Sequence, residues 1–253
     1  MKELLQGRDA LIWDFDGVLY SYHFNDIPAD KLNQNFFSAN GKGAQELIPW
    51  LSDEEAFNLG KETFLRYHDT VTGFLSYAKD LEMSEKEFKS KLLVSQLKWS
   101  FKHISENIPE LIAPCEETNI LFEQLSTYVT HAMITHANAK YWAKPVSQNL
   151  GVEKYFDHIM GYDDFDFKSK RESAYAVSLA LEKLGAKPEN AIFIEDQPKH
   201  LEIAKEAYPD ICNVLIEAEE PIEKPDYVDI MVHRPKNFMQ TLLEVLSEEK
   251  EAA

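Results

Sequence analysis

A chain of 253 residues, 44% hydrophobic and 28% charged, is long enough for one large domain or for a core with a smaller companion, and its composition is that of a compact globular protein. Its net charge of −18 opposes phosphodiester backbones and anionic bilayers, so neither nucleic acid nor a membrane surface is expected as a partner. No apolar run approaches the ~20 residues of a transmembrane helix; Cys115 and Cys212 lack CxxC spacing, which fits a reducing cytoplasm better than a zinc site or disulfide framework.

The amino-terminal segment is interrupted by Arg8, Asp9 and Asp14 before it could form the apolar stretch of a signal peptide. The first strand is expected at "ALIWDF", residues 10–15, and it runs into Asp14, Asp16 and Gly17. From residue 20 to about 120 the pattern turns helical. "SDEEAFNLGKETFLRY" opens with Ser52 and Glu55 at capping-box spacing, and "SEKEFKSKLLVSQLKWSFKHI" repeats the device with Ser84 and Glu87. In the second of these, Phe88, Leu92, Leu97, Phe101 and Ile104 share one apolar face, and "IPELIAP" closes the segment.

Further strands are expected at "HAMIT" (131–135), "AIFIE" (191–195) and "CNVLI" (212–216). Between them "RESAYAVSLALEKLG" places Ala174, Val177, Leu181 and Leu184 at helical spacing before a terminating Gly185. The "SEEKEAA" tail reads as frayed. Strand–helix alternation predicts a Rossmann-like, doubly wound parallel α/β sheet, interrupted after its first strand by a helical insertion. Ligands in such sheets sit beyond the carboxyl ends of the strands.

Chemistry-bearing residues collect at those ends. Asp14 and Asp16, at i and i+2 of extended chain, point to one side, and two close carboxylates repel unless a cation lies between them. Oxygen ligands of this kind suit Mg2+, which commonly pairs carboxylates with phosphate oxygens. Thr135 ends the second strand, with His136 and Asn138 in the turn beyond; Glu195 and Asp196 end the third. Lys168 and Lys170 in "FKSKRESAY" lie where a helix is expected to begin, with Ser169 capping onto Glu172. Together these make a candidate magnesium and phosphate site for a small phosphorylated metabolite.

In order and type, "DFDGV", "MIT", the lysine of "FKSKRESAY" and "IFIEDQ" resemble the four motifs of the haloacid dehalogenase (HAD) superfamily of phosphohydrolases. The resemblance implies a HAD-like core over 1–20 and 118–253 and a helical cap over 21–117. It further implies that Asp14 attacks phosphorus, that Asp16 is the acid and base, and that Thr135, His136 and either Lys168 or Lys170 contact phosphate. Mg2+ would be held by Asp14, the Asp16 backbone carbonyl and Asp196, with Glu195 a ligand through water or an outer group. Tyr20, "FLRYHDTVTGF", "LGVEKYFDHIMG" and "EDQPKHL" look similar to the pyrimidine 5′-nucleotidase-like branch, whereas Gly17-Val18, His136 and His200 depart from it.

The activity expected is cytoplasmic, magnesium-dependent hydrolysis of a phosphomonoester such as a nucleoside 5′-monophosphate, by a monomer or homodimer. Tyr67, Thr70 and Thr72 are the expected specificity residues of the cap. A sugar-phosphate mutase, a phosphonatase-like enzyme and a catalytically weak metabolite-binding module are the alternatives. Asp163, Asp164 and Asp166 read as a solvated loop, His131 as a core histidine, and Trp50, Trp99, Phe101 and Tyr67 as packing aromatics.

Overall fold

The computed structural model describes residues 2–21, 29–67, 69–217 and 223–252, with backbone only for 29–35. Among these, β1 (Ala10–Trp13), β2 (Thr130–Ile134), β3 (His158–Met160), β4 (Ala191–Glu195), β5 (Cys212–Ile216) and β6 (Ile230–Val232) form one parallel sheet in the order β3-β2-β1-β4-β5-β6. The helices are α1 (Lys2–Leu5), α2 (Ala29–Leu47), α3 (Asp53–Tyr67), α4 (Glu85–Asn107), α5 (Glu116–Leu125), α6 (Lys144–Leu150), α7 (Tyr175–Leu184), α8 (Pro198–Ala207) and α9 (Pro235–Ala252). None is long and apolar enough to cross a membrane.

The central strands are buried on both faces, so β1, β4 and β5 read as continuous apolar runs rather than alternating ones. Trp13 fixes the packing beneath β1: its ring lies 5.3 Å from Phe122 of α5 and 6.2 Å from Phe238 of α9. Its indole N–H donates to His131 Nδ1 at 3.1 Å, and burial holds His131 down at about 4 against the opposing pull of Asp157. On the other side of β1 in the strand order, α8 packs against β4 and β5, while α7 lies across β1, β2 and β3.

The four expected strands appear within one or two residues. The edge strands β3 and β6 do not announce themselves in sequence, because "HIM" and "IMV" are too short to show a period and form by pairing with β2 and β5. Two other expectations change. The helix before β4 begins at Tyr175, since Glu172 and Ser173 N–H both donate to the Ser169 carbonyl and close residues 169–173 as a turn. The carboxyl-terminal tail is helical to Ala252, tied to the amino terminus by Lys2–Glu248 at 2.6 Å and by Gly7 N–H to Glu249 at 3.0 Å.

The expected capping box forms in full at α3 and by its serine half at α4, where the Glu87 carboxylate pairs with Lys91 instead. Ser52 and Glu55 exchange hydrogen bonds of 2.9 and 3.2 Å at the start of α3, and the Ser84 hydroxyl accepts from Glu87 N–H at the start of α4. Helices α2 and α4 approach so closely that a side chain at Gly43 would strike the Gln96 backbone. Phe88, Leu92, Leu97 and Ile104 are buried along α4, whereas Phe101 is half-buried, Trp50 is exposed and Trp99 donates to Glu46. The aspartates of the 163–166 loop serve structure: Asp163 accepts from Asn138, Asp164 from Gly161 N–H, and Asp166 pairs with Lys86.

Beyond β1 the chain turns at Gly17, whose φ is +88°, and a Cβ there would collide with the Asp196 carboxylate. Left-handed backbone and close approach together require glycine.

Gly17→Ala is expected to lower unfolding free energy by about 2 kcal/mol in urea titration. His131 is neutral in the fold and protonates more readily when unfolded. Its contribution is therefore present above pH 6.5 and lost as pH falls toward about 4. The loss amounts to roughly 3 kcal/mol, and His131→Gln should flatten that part of the stability profile relative to the parent chain.

Candidate active site

In the sheet register Trp13 stands opposite both Met133 and Ile194, so the residues that follow β1, β2 and β4 emerge together. Asp14 N–H donates to Ile194 O at 2.8 Å and carries the ladder one residue further. This is also where the strand order reverses, the crevice in which doubly wound sheets bind ligands.

Lys170, 4% exposed, reaches into this crevice from the 169–173 turn. Its Nζ donates to Asp14 Oδ1 and, at 2.8 Å, to Glu195 Oε2; its backbone N–H donates to His136 Nε2 at 2.9 Å. Glu195 is wholly buried and fully engaged. Its Oε2 also lies 3.0 Å from His200 Nδ1, and its Oε1 accepts from the N–H groups of Asp196 and Gln197 at 3.1 and 3.2 Å.

Oxygen atoms of Asp14, Glu195 and Asp196 lie within 4.8 Å of one another. Burial raises the Asp14 carboxyl well above its usual range, and Glu195 adds to this against the pull of Lys170. Asp196 moves the same way, through burial and then the charges of Glu195 and Asp14. Burial acts on Glu195 too, yet Lys170 and His200 outweigh it and hold that carboxyl well below its usual range. One ammonium does not balance three clustered carboxylates, and an all-oxygen set of this spacing suits a hard divalent cation.

Asp16 stands apart from that cluster. Its Oδ1 accepts from Trp142 Nε1 at 2.7 Å and from the Tyr20 hydroxyl, and its Oδ2 accepts from Thr135 Oγ1 at 2.8 Å. Burial and the Asp16 charge raise the Tyr20 phenol well above its usual range, which keeps it a donor. Asn138 sets Trp142 in place: its Oδ1 accepts from Lys140 and Tyr141 N–H, both at 3.0 Å, and opens a widened helical turn, Ala139–Ala143.

A cavity of about 710 Å³ rises from this floor. Of the residues expected from sequence, Asp14, Asp16, His136, Lys170, Glu195, Asp196 and Thr70 line it. Four expected residues do not. Lys168 Nζ sits 4.0 Å above the Tyr175 ring, outside the site. Tyr67 lies under Arg66, since the cavity-facing side of α3 is the one that carries Phe64, and Thr72 Oγ1 is turned to Asp69, donating at 2.6 Å. Thr135 is fully buried and engaged with Asp16 instead of facing the cavity.

The structure adds residues that sequence reading passed over: Trp142, Gln197, Phe36, Phe37 and Phe64, with Glu217, His233 and Arg234 beyond β5 and β6. Spacing offered a signal for Trp142 only, an aromatic shortly after the turn at Asn138.

One family model, haloacid dehalogenase-like hydrolase, matches residues 8–207. A phosphoglycolate phosphatase of Aquifex aeolicus (strain VF5) is 28% identical over 149 residues, 59% of this chain and 68% of that protein. Among solved structures, a HAD phosphatase from Thermococcus onnurineus superposes with TM-score 0.58 at 19% identity, covering 92% of this chain and 97% of the other. A beta-phosphoglucomutase from Clostridium difficile gives TM-score 0.57 at 18% identity over 96% and 99%. Because the matched segment takes in both halves of the crevice, from the aspartates after β1 to the acidic pair after β4, the chain belongs to the haloacid dehalogenase-like hydrolases.

Proposed function

We propose that this protein is a phosphomonoester hydrolase that works through an aspartyl-phosphate on Asp14. The observation that carries this reading is the buried bridge from Lys170 to Asp14 and Glu195, with Asp196 beside it, at the floor of the cavity. Membership of the family and the phosphoglycolate phosphatase relative support it.

In the first step an Asp14 carboxylate oxygen attacks phosphorus, the bond from phosphorus to the alcohol oxygen breaks, and Asp16 gives that oxygen its proton. In the second, a water attacks the phosphorus of the aspartyl-phosphate while Asp16 takes its proton, releasing phosphate and restoring Asp14. Lys170 holds the nucleophile in place and offsets charge at the phosphoryl group. Tyr20, Trp142 and Thr135 fix the orientation of Asp16 between the two steps. Asp14 and Asp196 would hold Mg2+, with Glu195 supporting them from behind. When bound, the ion offsets the negative charge of nucleophile and phosphoryl oxygens together.

Residues 21–117 serve as a cap that closes over the substrate and excludes water. The finer reading, a nucleoside 5′-monophosphate as substrate, rests on the likeness of Tyr20 and the 67–73 segment to the pyrimidine 5′-nucleotidase-like branch.

Asp14→Asn is expected to abolish phosphate release from a panel of phosphomonoesters while retaining the parent melting curve; persistent release would overturn the covalent route. Lys170→Ala should lose at least about 100-fold in kcat/KM, with Lys168→Ala within about twofold of the parent. Phosphate migration within a sugar would indicate a mutase, and tight binding without turnover a sensing module. Magnesium at about 100 times its Kd should stabilise the fold by about 2.7 kcal/mol, an effect that Asp196→Asn should remove.

A further inference from the structure

The floor of the cavity is polar, but the wall facing it is not. From α2, α3, α4 and the turn that follows α4 come Phe36, Phe37, Phe64, Leu93, Leu97 and Leu111. Among the described residues, the polar groups from this side are Asp69 and Thr70. Asp69 is already committed to its own turn: Oδ1 accepts from Val71 and Thr72 N–H at 2.8 and 2.7 Å, and Oδ2 from the Thr72 hydroxyl at 2.6 Å.

The aromatic part of this wall is continuous with the catalytic floor. Phe36 stands edge-on to Phe37, Phe64 and Trp142, at centroid distances of 5.8, 6.4 and 6.5 Å, and Trp142 is the residue whose N–H holds Asp16. Phe64, 36% exposed, also lines the cavity and lies 5.7 Å from the Phe37 ring. The lysine and arginine side chains that line the cavity, Lys170 and Arg234, come from the sheet side, and among the described residues the helical wall contributes neither type. His233 is paired with Glu217 at 2.7 Å, and Lys170 with Asp14 and Glu195.

We infer that the substrate is a monophosphate ester whose alcohol part carries a flat aromatic ring, which packs against Phe36, Phe37 and Phe64. The inference rests on the phosphohydrolase reading for the placement of the phosphate at Asp14, and it goes further by assigning the leaving group. A small alcohol part, such as that of phosphoglycolate, would leave the phenyl faces of this wall uncovered. A hexose would leave several hydroxyls against phenyl rings. A ring instead gains offset or edge-on contact with aromatic side chains already arranged in that geometry.

The test compares 1-naphthyl phosphate, uridine 5′-monophosphate, phosphoglycolate and glucose 6-phosphate, with magnesium, by phosphate release. The two ring-bearing esters are expected to exceed the other two in kcat/KM by at least about tenfold. Phe64→Ala should lower the naphthyl ester about tenfold through KM, and phosphoglycolate less than about twofold. Phe36→Leu, which keeps apolar bulk, should repeat the direction if Phe64→Ala alters the melting curve. Parent-level preference for phosphoglycolate or glucose 6-phosphate would overturn the inference and leave the hydrolase reading intact. Should no ester be turned over, the hydrolase reading fails, and calorimetry on Asp14→Asn decides the wall separately. The phosphate group is common to all four ligands, so tighter binding of naphthyl phosphate than of phosphoglycolate upholds the inference and the reverse order overturns it.

Discussion

A lysine buried between two carboxylates is the constraint around which the crevice is built. Removing an ammonium and two carboxylates from water costs several kcal/mol each unless every charge finds partners, and here each does. Lys170 gives hydrogen bonds to Asp14 and Glu195, while Glu195 takes further contacts from His200 and from two backbone N–H groups. The arrangement demands that β1 and β4 be neighbours, that the 169–173 turn reach across to them, and that His136 hold the turn by the Lys170 backbone. Carboxylates still outnumber ammonium groups at this point, which suits the same cluster to a divalent cation.

Asp16 solves a different problem with different partners. It lies only two residues from Asp14, yet its oxygens are directed away from the acidic cluster by donors from three places in the chain: Tyr20, Thr135 and Trp142. Separate environments for two neighbouring carboxylates are the physical basis for giving them separate roles. Gly17 completes the separation, since the tight turn between Asp16 and Tyr20 passes against the Asp196 carboxylate with no room for a Cβ. Trp142 then links this polar floor to the apolar wall, one edge bonded to Asp16 and its ring set against Phe36.

Much of the sheet was legible in the sequence because buried parallel strands must be apolar without interruption. β4 and β5 were bounded to the residue, and β1 and β2 within one or two. Helix starts with a hydroxyl and a glutamate three residues later were equally readable, as Ser52 and Ser84 show. Edge strands and the start of α7 were not. The first depend on a partner strand, and the second on a turn at Ser169 that competes with the helix cap the same residues could have made. The acidic residues and lysines could be named from their order, and the local "SK" pattern leaned toward Lys170 while keeping Lys168 as a candidate; the direction of each side chain separates them.

The sequence by itself determined which residue types stand at the carboxyl ends of the strands, because strand ends and their polar successors are local properties of the chain. It also determined that a helical segment divides β1 from β2. The tertiary structure alone decided that Thr135 turns to Asp16, that Tyr67 and Thr72 face away, and that Phe36, Phe37 and Phe64 form the cavity wall. Helical periodicity marks a face as apolar without saying whether it meets another helix or an open cavity; that depends on how α2, α3 and α4 cross, and the crossing is fixed by contacts such as Gly43 against Gln96 between residues far apart in the chain.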